Sequence, residues 1–275
     1  MKYCDIRARL RAAGIESDAH ETALLLSHFE GVPRADIPLI GERDFKSAAL
    51  EDALCRREKH EPLQYIIGEW YFMGEKYIVN ENCLIPRQDT ELLVETAVEL
   101  LPTGAVFADF CTGSGCVAVS TLAARHDTRS FAIEMFGAAL ELAVQNAKIN
   151  GVAERFSPVI ADVTKTLPLD KDIRFDAIIS NPPYIRTGEL DLLSDEVKHE
   201  PRAALDGGTD GMDFYRAILK NGAPRIKENG FFAFEIGSDE GEDIRRIAEM
   251  NAFSCELRRD LCGNDRVAVL RKRIK

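Results

Sequence analysis

The feature that most constrains the fold of this 275-residue chain is an alternation of short apolar runs with helical patterns, which starts near residue 89. Runs of four to six residues have the length of buried strands, and the stretch 137–150 has apolar residues at helical spacing. This alternation predicts a parallel sheet that is covered by helices. The predicted strands are 106–110, 130–134, 156–160, 175–180, 231–236 and 267–270.

The N-terminal part of the chain reads instead as three helices. The first is expected over about 2–13, where a glycine follows that can supply a left-handed stop. Ser17 is expected to cap the second helix, which ends near Gly31. Asp44 is expected to cap a third helix, which continues almost to Pro62.

Between these two parts, residues 68–83 contain aromatic and β-branched residues on both sides of a glycine. This pattern favours a β-hairpin, although a simple linker could have the same composition. The sequence therefore predicts an N-terminal helical domain over 1–67, a hairpin linker over 68–83 and a larger domain over 84–275. The helical domain contributes no candidate ligand-binding group, so we expect it to recognise the substrate.

Composition narrows the class of protein. The net charge is −11, and neither the first 75 residues nor the remainder has an excess of basic side chains, which argues against a nucleic acid partner. The seven cysteines are odd in number and include no CxxC pair, so neither a disulfide framework nor a zinc site is indicated. No membrane-length apolar run and no signal peptide is apparent, and a cytoplasmic protein is expected.

The segment 109–115, DFCTGSG, follows a predicted strand and precedes a helical pattern. Glycines at such a turn let the backbone approach a ligand closely, and the amides at the start of the helix face that ligand. The same glycines also fit the GxGxxA pattern of nicotinamide enzymes, and a tight turn needed only for packing is the purely structural alternative. The segment favours a nucleotide-type ligand without identifying it.

Two acidic residues lie at the ends of the next two predicted strands. Glu134 comes 19 residues after Gly115, which is close to the spacing of ribose-binding acids, and its carboxylate could accept from both ribose hydroxyls. Asp162 follows the strand 156–160 and could accept the amino protons of adenine. A solvated glutamate at a strand end and a turn aspartate are the structural alternatives.

The tetrapeptide Asn181-Pro182-Pro183-Tyr184 follows the apolar strand 175–180. Its prolines have fixed φ angles and no N–H, so the loop is stiff. The side-chain oxygen of Asn181 and the carbonyl of Pro182 could each accept one N–H of a planar NH2 group, and Tyr184 could stack on the attached π system. A rigid turn that merely ends a strand is the structural alternative.

Taken together, these residues resemble the seven-stranded methyltransferases that depend on S-adenosylmethionine (SAM), in the branch whose NPPY motif acts on planar nitrogen. The chain is most similar to the release factor glutamine methyltransferases. Four further segments carry this resemblance along nearly the whole chain: PLQYIIG at 62–68, LIPRQDTE at 84–91, EPRAAL with GTDG at 200–211, and GNDR at 263–266.

The resemblance implies a Rossmann-like seven-stranded core, joined by the hairpin to the small helical domain. It implies SAM as the cofactor without a metal, and the glutamine of the Gly-Gly-Gln loop in class-1 peptide chain release factors as the substrate. Substrate contacts and catalysis would fall to Arg87 and the tetrapeptide 181–184, above all Asn181, Pro182 and Tyr184. The implied cofactor-binding residues are Asp109, Cys111, Thr112, Gly113, Ser114, Gly115, Glu134, Asp162, Val163 and Asn181.

The chain departs from the family pattern at three positions: Cys111 stands where glycine is expected, Glu134 where aspartate is commoner, and Gln88 where proline is usual. Because Cys111 carries a Cβ, its backbone is expected to keep a negative φ. None of these changes removes a functional group that the chemistry needs.

The expected chemistry is an in-line methyl transfer, in which positive charge moves from sulfur to the accepting nitrogen. Oxygens of Asn181 and Pro182 would stabilise that charge through the protons of the nitrogen, so no strong general base is needed. An adenine-amino methyltransferase would use the same chemistry and is the main alternative. A non-catalytic adapter and a nicotinamide oxidoreductase are disfavoured, because the first would not need an intact Asn181 and the second would not explain NPPY.

Overall fold

The computed structural model describes residues 1–273, which form two compact units. The first contains Met1–Glu69 together with Ser194–His199, and the second contains Trp70–Leu193 together with the chain from Glu200 onward. Within the described residues, no helix combines the length and the apolar character that crossing a membrane requires.

The first unit is helical, as predicted. Its apolar core contains Ile6 and Leu10 of the first helix, Leu25 of the second, and Leu50 and Leu54 of the third, all of them fully buried. The second helix ends at Gly31, whose φ of 64° is left-handed. The helices are α1 (Tyr3–Ala12), α2 (Asp18–Glu30), α3 (Ala48–Arg57) and α4 (Leu63–Ile67).

Two expected helix caps are wrong. Asp44 does not cap α3, because it pairs with the N-terminal amine of Met1 at 2.6 Å, and α3 begins four residues later. Ser47 is the actual cap, and its Oγ accepts from the backbone N–H of Leu50 at 3.2 Å. Ser17 does precede α2, but its hydroxyl donates to the Glu21 carboxylate at 2.9 Å instead of accepting from a helix amide.

A buried ion pair ties the segment 194–199 to the helices of this unit. The Arg57 side chain is 2% exposed, and its Nε lies 2.6 Å from Oε2 of Glu21. The same guanidinium pairs with Glu196. Because a buried guanidinium must be paired, one arginine fixes two distant parts of the chain.

The hairpin is confirmed as strands β1 (Glu69–Phe72) and β2 (Glu75–Ile78). Its two-residue turn consists of Met73 and Gly74, which both have positive φ, at 53° and 81°. Positive φ at both central positions matches the twist of a tight hairpin.

The second unit consists of a seven-stranded sheet with helices packed around it, and the Rossmann-like prediction is confirmed. Its strands are β3 (Val106–Phe110), β4 (Arg129–Glu134), β5 (Phe156–Ile160), β6 (Phe175–Ser180), β7 (Ile226–Glu235), β8 (Phe253–Arg259) and β9 (Asp265–Lys272). Its helices are α5 (Glu91–Leu100), α6 (Cys116–Ala124), α7 (Gly137–Ile149), α8 (Asp213–Gly222) and α9 (Gly241–Met250).

The strand order is β5-β4-β3-β6-β7-β9-β8. The first five strands are parallel, whereas β9 runs antiparallel to both of its neighbours. The order reverses between β3 and β6, since the chain moves outward from β3 to β5 and then returns to the other side. Ligands bind at the carboxyl ends of the strands at such a switch point.

All six predicted strands are present, but β8 was missed. It is an edge strand with alternating burial, and its sequence, FSCELRR, buries only Phe253 fully. Continuous apolar runs mark only strands that are buried on both faces of a sheet. A half-exposed edge strand does not have that pattern.

Asn146 of α7 joins the hairpin to the glycine-containing segment. Its Oδ1 accepts from the N–H of Ile78 at 2.7 Å, and its Nδ2 donates to the carbonyls of Ile78 and Ser114 at 3.0 and 2.8 Å. The side chain is completely buried. One amide thus satisfies three backbone groups that water cannot reach easily.

Asn146→Ala should therefore lower the free energy of unfolding by about 3 kcal/mol or more, because three backbone groups lose their partner. Urea denaturation followed by circular dichroism measures this loss. Asn150→Ala is the matched control, since the Asn150 amide also reaches the hairpin, at the Lys76 carbonyl, but on the surface. Its cost should stay below about 1 kcal/mol. Equal losses in the two variants would contradict the role of Asn146.

Candidate functional site

A cleft opens at the carboxyl ends of β3, β4 and β6. It lies at the switch point of the sheet, where the order of the strands favours ligand binding. Nine of the residues predicted for the site line it: Arg87, Cys111, Thr112, Gly113, Ser114, Glu134, Val163, Asn181 and Pro183. The lining does not include Asp109, Gly115, Asp162, Pro182 and Tyr184.

The glycine loop, residues 111–115, forms a tight turn between β3 and α6. The N–H of Thr112 donates to the Ile133 carbonyl of β4 at 3.1 Å, and the N–H of Gly115 returns to the Thr112 carbonyl at 2.8 Å. Gly113 and Gly115 both have positive φ, at 54° and 80°. A Cβ on Gly115 would lie only 3.0 Å from that of Ala143, so the loop also packs closely against α7.

The expectation of a negative φ at Cys111 is wrong, because its φ is 61°. Where the chain leaves β3, the backbone of Cys111 adopts the left-handed conformation even though the residue carries a Cβ. For an L-residue this conformation costs about 1–2 kcal/mol. The buried surroundings raise the pKa of the Cys111 thiol well above its usual value, so the side chain is neutral.

Asp109 lies beneath the glycine loop and outside the cleft. Its Oδ2 accepts from the Thr112 hydroxyl at 2.5 Å and from the N–H of Ala118 at 3.1 Å. The residue is 1% exposed, and burial raises its pKa to about 7. The contacts of this carboxyl hold the loop and the start of α6 together.

Glu134, at the end of β4, points toward the glycine loop. Its Oε2 accepts from the N–H of Gly113 at 3.0 Å, while Oε1 accepts from the N–H groups of Met135 and Phe136 at 2.9 and 3.1 Å. Three backbone amides thus fix a carboxylate that lines the cleft. Asp162 differs from Glu134, because its carboxylate accepts from the N–H and the hydroxyl of Thr164. Val163 lines the cleft, whereas Asp162 does not.

The NPPY tetrapeptide leaves β6 next to the glycine loop. The Ser180 hydroxyl before it donates to the Phe110 carbonyl of β3 at 2.5 Å, which joins the two strand ends. Asn181 lines the cleft, and its Nδ2 donates to the Thr90 hydroxyl at 3.2 Å. Burial raises the pKa of the Tyr184 phenol, and the stacking of this ring on a substrate stays a prediction.

The glycine-rich segment after NPPY packs directly on the tetrapeptide. The N–H of Ile185 donates to the Leu205 carbonyl, and the N–H of Gly207 returns to the Ile185 carbonyl. A Cβ on Gly207 would lie 2.6 Å from the Cα of Tyr184, and one on Gly211 would lie 2.5 Å from the Tyr184 carbonyl. Only glycine permits so close an approach, which explains the glycines of this segment.

Arg87 lies at the cleft beside a buried acid. Its guanidinium pairs with Glu200, whose side chain is 1% exposed and which also accepts from the N–H of Ile85 at 3.0 Å. This contact joins the LIPRQDTE and EPRAAL segments of the sequence. The Arg87 side chain is 39% exposed, so it remains accessible from the cleft.

Comparison with known proteins agrees with this geometry. A family model described as the PrmC N-terminal domain matches residues 5–68, and a model described as the methyltransferase small domain matches residues 87–208. A release factor glutamine methyltransferase of Geobacter sulfurreducens is 38% identical over 95% of this chain and 92% of its own. One from Nitratidesulfovibrio vulgaris is 37% identical over 98% of this chain and 93% of its own.

The chain belongs to the release factor glutamine methyltransferase family. Among solved structures, a methyltransferase from Pyrococcus furiosus aligns with 72% of this chain and 89% of its own, at 16% identity and a TM-score of 0.54. This likeness supports the fold alone. The family membership confirms the resemblance that the motifs of the sequence indicated.

Several residues of the site were missed by the sequence analysis. Thr90 contacts Asn181, and Met135, Phe136 and Phe214 line the cleft. Thr90 lies in the family-like LIPRQDTE segment, so the motif was a usable signal. The two residues after Glu134 are large and apolar at a helix start, where they are half-exposed, which was a weaker signal.

The strained backbone at Cys111 leads to a stability prediction. Cys111→Gly should be more stable than Cys111→Ala by about 0.5–1 kcal/mol, because both remove the thiol but only glycine adopts positive φ without cost. Chemical denaturation of the two variants measures the difference. The order should be reversed for the pair Cys116→Gly and Cys116→Ala, since Cys116 begins helix α6. An alanine variant that is the more stable at both positions would refute strain at Cys111.

Proposed function

We propose that this enzyme transfers the methyl group of SAM to the side-chain amide nitrogen of the glutamine in the Gly-Gly-Gln loop of a class-1 peptide chain release factor. The observation that carries the proposal is the position of Asn181, which lies in the same cleft as the glycine loop. The names of the relatives support the choice of substrate. The reaction would take place in the cytoplasm, where release factors act on ribosomes.

The residues of the cleft fit SAM. The glycine loop lines the cleft just before α6, and the space beside Gly113 is open, since nothing lies within 4 Å of where its Cβ would be. The Glu134 carboxylate is fixed where it could accept from ribose hydroxyls. Phe136 and Val163 offer apolar surface for a purine ring.

When bound, SAM supplies a methyl group on a positively charged sulfur. The protein would supply position and charge stabilisation. Asn181 Oδ1 and the Pro182 carbonyl would each accept one N–H of the glutamine amide and hold its nitrogen toward the cleft. As the nitrogen gains a methyl group it also gains positive charge, which these oxygens stabilise through its protons. The proton that becomes acidic is then released to water.

Positioning of this kind can lower the activation barrier by on the order of 7–11 kcal/mol for well-oriented groups.

The helical unit contains no residue of the cleft. We propose that it recognises the folded release factor, while the second unit binds SAM and the glutamine. The matching N-terminal family model supports such a division.

Glu134→Ala should weaken SAM binding about a hundredfold, or about 3 kcal/mol, because charge-assisted hydrogen bonds to two hydroxyls are lost. Isothermal titration calorimetry measures the affinity directly. Glu141→Ala removes the same charge from an exposed position on α7 and serves as the matched control. A SAM affinity of the Glu134 variant that equals that of this control would remove Glu134 from the site.

The substrate is tested with labelled SAM and three acceptors: a release factor, its variant with Asn in place of the loop glutamine, and duplex DNA rich in adenine. Label is expected on the intact release factor alone, because a side chain one methylene shorter withdraws the nitrogen from the methyl group. The Asn181→Ala enzyme should transfer almost no label while remaining folded. Label on DNA and none on the release factor would assign the enzyme to the adenine-amino class.

A further inference from the structure

A second acid, Glu235, lies beside Asn181 and is not used by the chemistry described so far. It is the last residue of β7, and it is 2% exposed. Ser180 of β6 pairs with Phe234 of β7, so Asn181 and Glu235 leave the two parallel strands side by side. The backbone of Glu235 is fixed, because its carbonyl accepts from the Tyr215 hydroxyl at 2.8 Å.

The carboxyl of Glu235 is unusual in its surroundings. Its Oε2 has no hydrogen-bond partner among the described residues of the protein. Burial raises the pKa of Glu235 to about 7. The Thr90 hydroxyl, the Arg266 guanidinium and the Asn181 amide lower this pKa, but their effects are smaller than that of burial. A buried acid without a full set of partners lowers stability, so its presence calls for a functional reason.

The contact between Asn181 and Thr90 does not by itself fix the orientation of the Asn181 amide. The Nδ2 atom of Asn181 donates to the Thr90 hydroxyl at 3.2 Å. A hydroxyl both donates and accepts, so Thr90 could equally donate to Oδ1 of a flipped amide. A carboxylate can only accept. If Glu235 is ionised, the Thr90 hydroxyl donates its only proton to the Glu235 carboxylate. The Thr90 oxygen can then only accept from Asn181, so the Nδ2 atom of Asn181 must face Thr90.

We propose that ionised Glu235 is a positioning residue that, through Thr90 and its own proximity to Asn181, holds Oδ1 of Asn181 toward the substrate NH2 group. The inference rests on the proposed function, since it concerns the orientation of the same nitrogen. A flipped amide would present N–H donors to the N–H groups of the substrate, and the acceptor on which catalysis depends would be lost. The negative charge of Glu235 also favours the positive charge that develops on the nitrogen.

The pH dependence follows from the groups that face Glu235. These are Arg266 of β9, Asp89 before α5, Tyr184 after β6, Tyr215 of α8 and Cys116 of α6. Burial raises the pKa of both tyrosines and of the cysteine, so these three stay neutral near pH 7. Arg266 lowers the pKa of Glu235, and Asp89 raises it. Ionisation of Glu235 through about pH 7 should therefore raise kcat.

The test compares kcat of the wild type and of Glu235→Gln between pH 6 and 8.5 with a release factor as substrate. At pH 8 the variant should lose roughly tenfold to hundredfold in kcat, because glutamine can donate to Thr90 and permits the flipped amide. KM for the release factor and the calorimetric affinity for SAM should change less than about threefold. Toward pH 6 the two kcat values should converge, since wild-type Glu235 becomes protonated.

Glu240→Gln is the matched control. Glu240 is also a buried acid whose pKa burial raises to about 7, but its carboxylate accepts from the N–H of Gly237 at 2.8 Å and from the Tyr215 hydroxyl at 3.4 Å. Its kcat and pH profile should match those of the wild type. Glu235→Gln with wild-type kcat at every pH overturns the inference, as does an equal loss in both variants.

An independent measurement uses the side-chain NH2 signals of Asn181 in proton–nitrogen spectra of the protein without substrate, assigned with Asn181→Ala. These signals should shift with a midpoint near pH 7 in the wild type and not in Glu235→Gln. Signals that do not titrate overturn the inference. Titrating signals in an enzyme that methylates no release factor would refute the proposed function and still support the positioning of Asn181 by Glu235.

Discussion

The site depends on one hydrogen-bonded register that runs across four parallel strands of the sheet. Phe110 of β3 pairs with Ile133 of β4 on one side and with Ser180 of β6 on the other, and Ser180 pairs with Phe234 of β7. Because these strands point the same way, the next residue of each emerges in a single row at the carboxyl edge. That row consists of Glu134, Cys111, Asn181 and Glu235.

The two acids of this row occupy different environments and are suited to different tasks. Glu134 accepts three backbone N–H groups and lines the cleft, so its carboxyl group is held rigidly at the cleft wall. Glu235 is buried at the end of β7, and this burial raises its pKa to about 7. Because the Glu235 carboxylate has few hydrogen-bond partners, its charge acts mainly on the neighbouring side chain of Asn181.

Much of the fold could be predicted because it follows from local pattern: apolar runs marked the buried strands, and glycines marked the turns. Contacts that arise only from tertiary pairing could not be predicted. Glu235 looked like the polar end of an apolar run, and only the register of β6 and β7 brings it beside Asn181. Cys111 was expected at negative φ from its Cβ alone, whereas the path of the chain from β3 imposes 61°. Asp109 was read as a ligand residue, but its bonds to Thr112 and Ala118 hold the loop.

The stiffness of the NPPY tetrapeptide has more sources than its prolines. Ser180 ties its start to the Phe110 carbonyl of β3, and Thr90 holds the Asn181 side chain. On its far side Gly207 lies so close to the Tyr184 backbone that no other residue fits there. An acceptor fixed from three directions need not reorganise when charge develops on the nitrogen beside it, and this lack of reorganisation is what makes fixed dipoles effective in catalysis. The proposed chemistry of the two oxygens therefore depends on an extended frame of contacts, in which residues far apart in the sequence meet at Asn181.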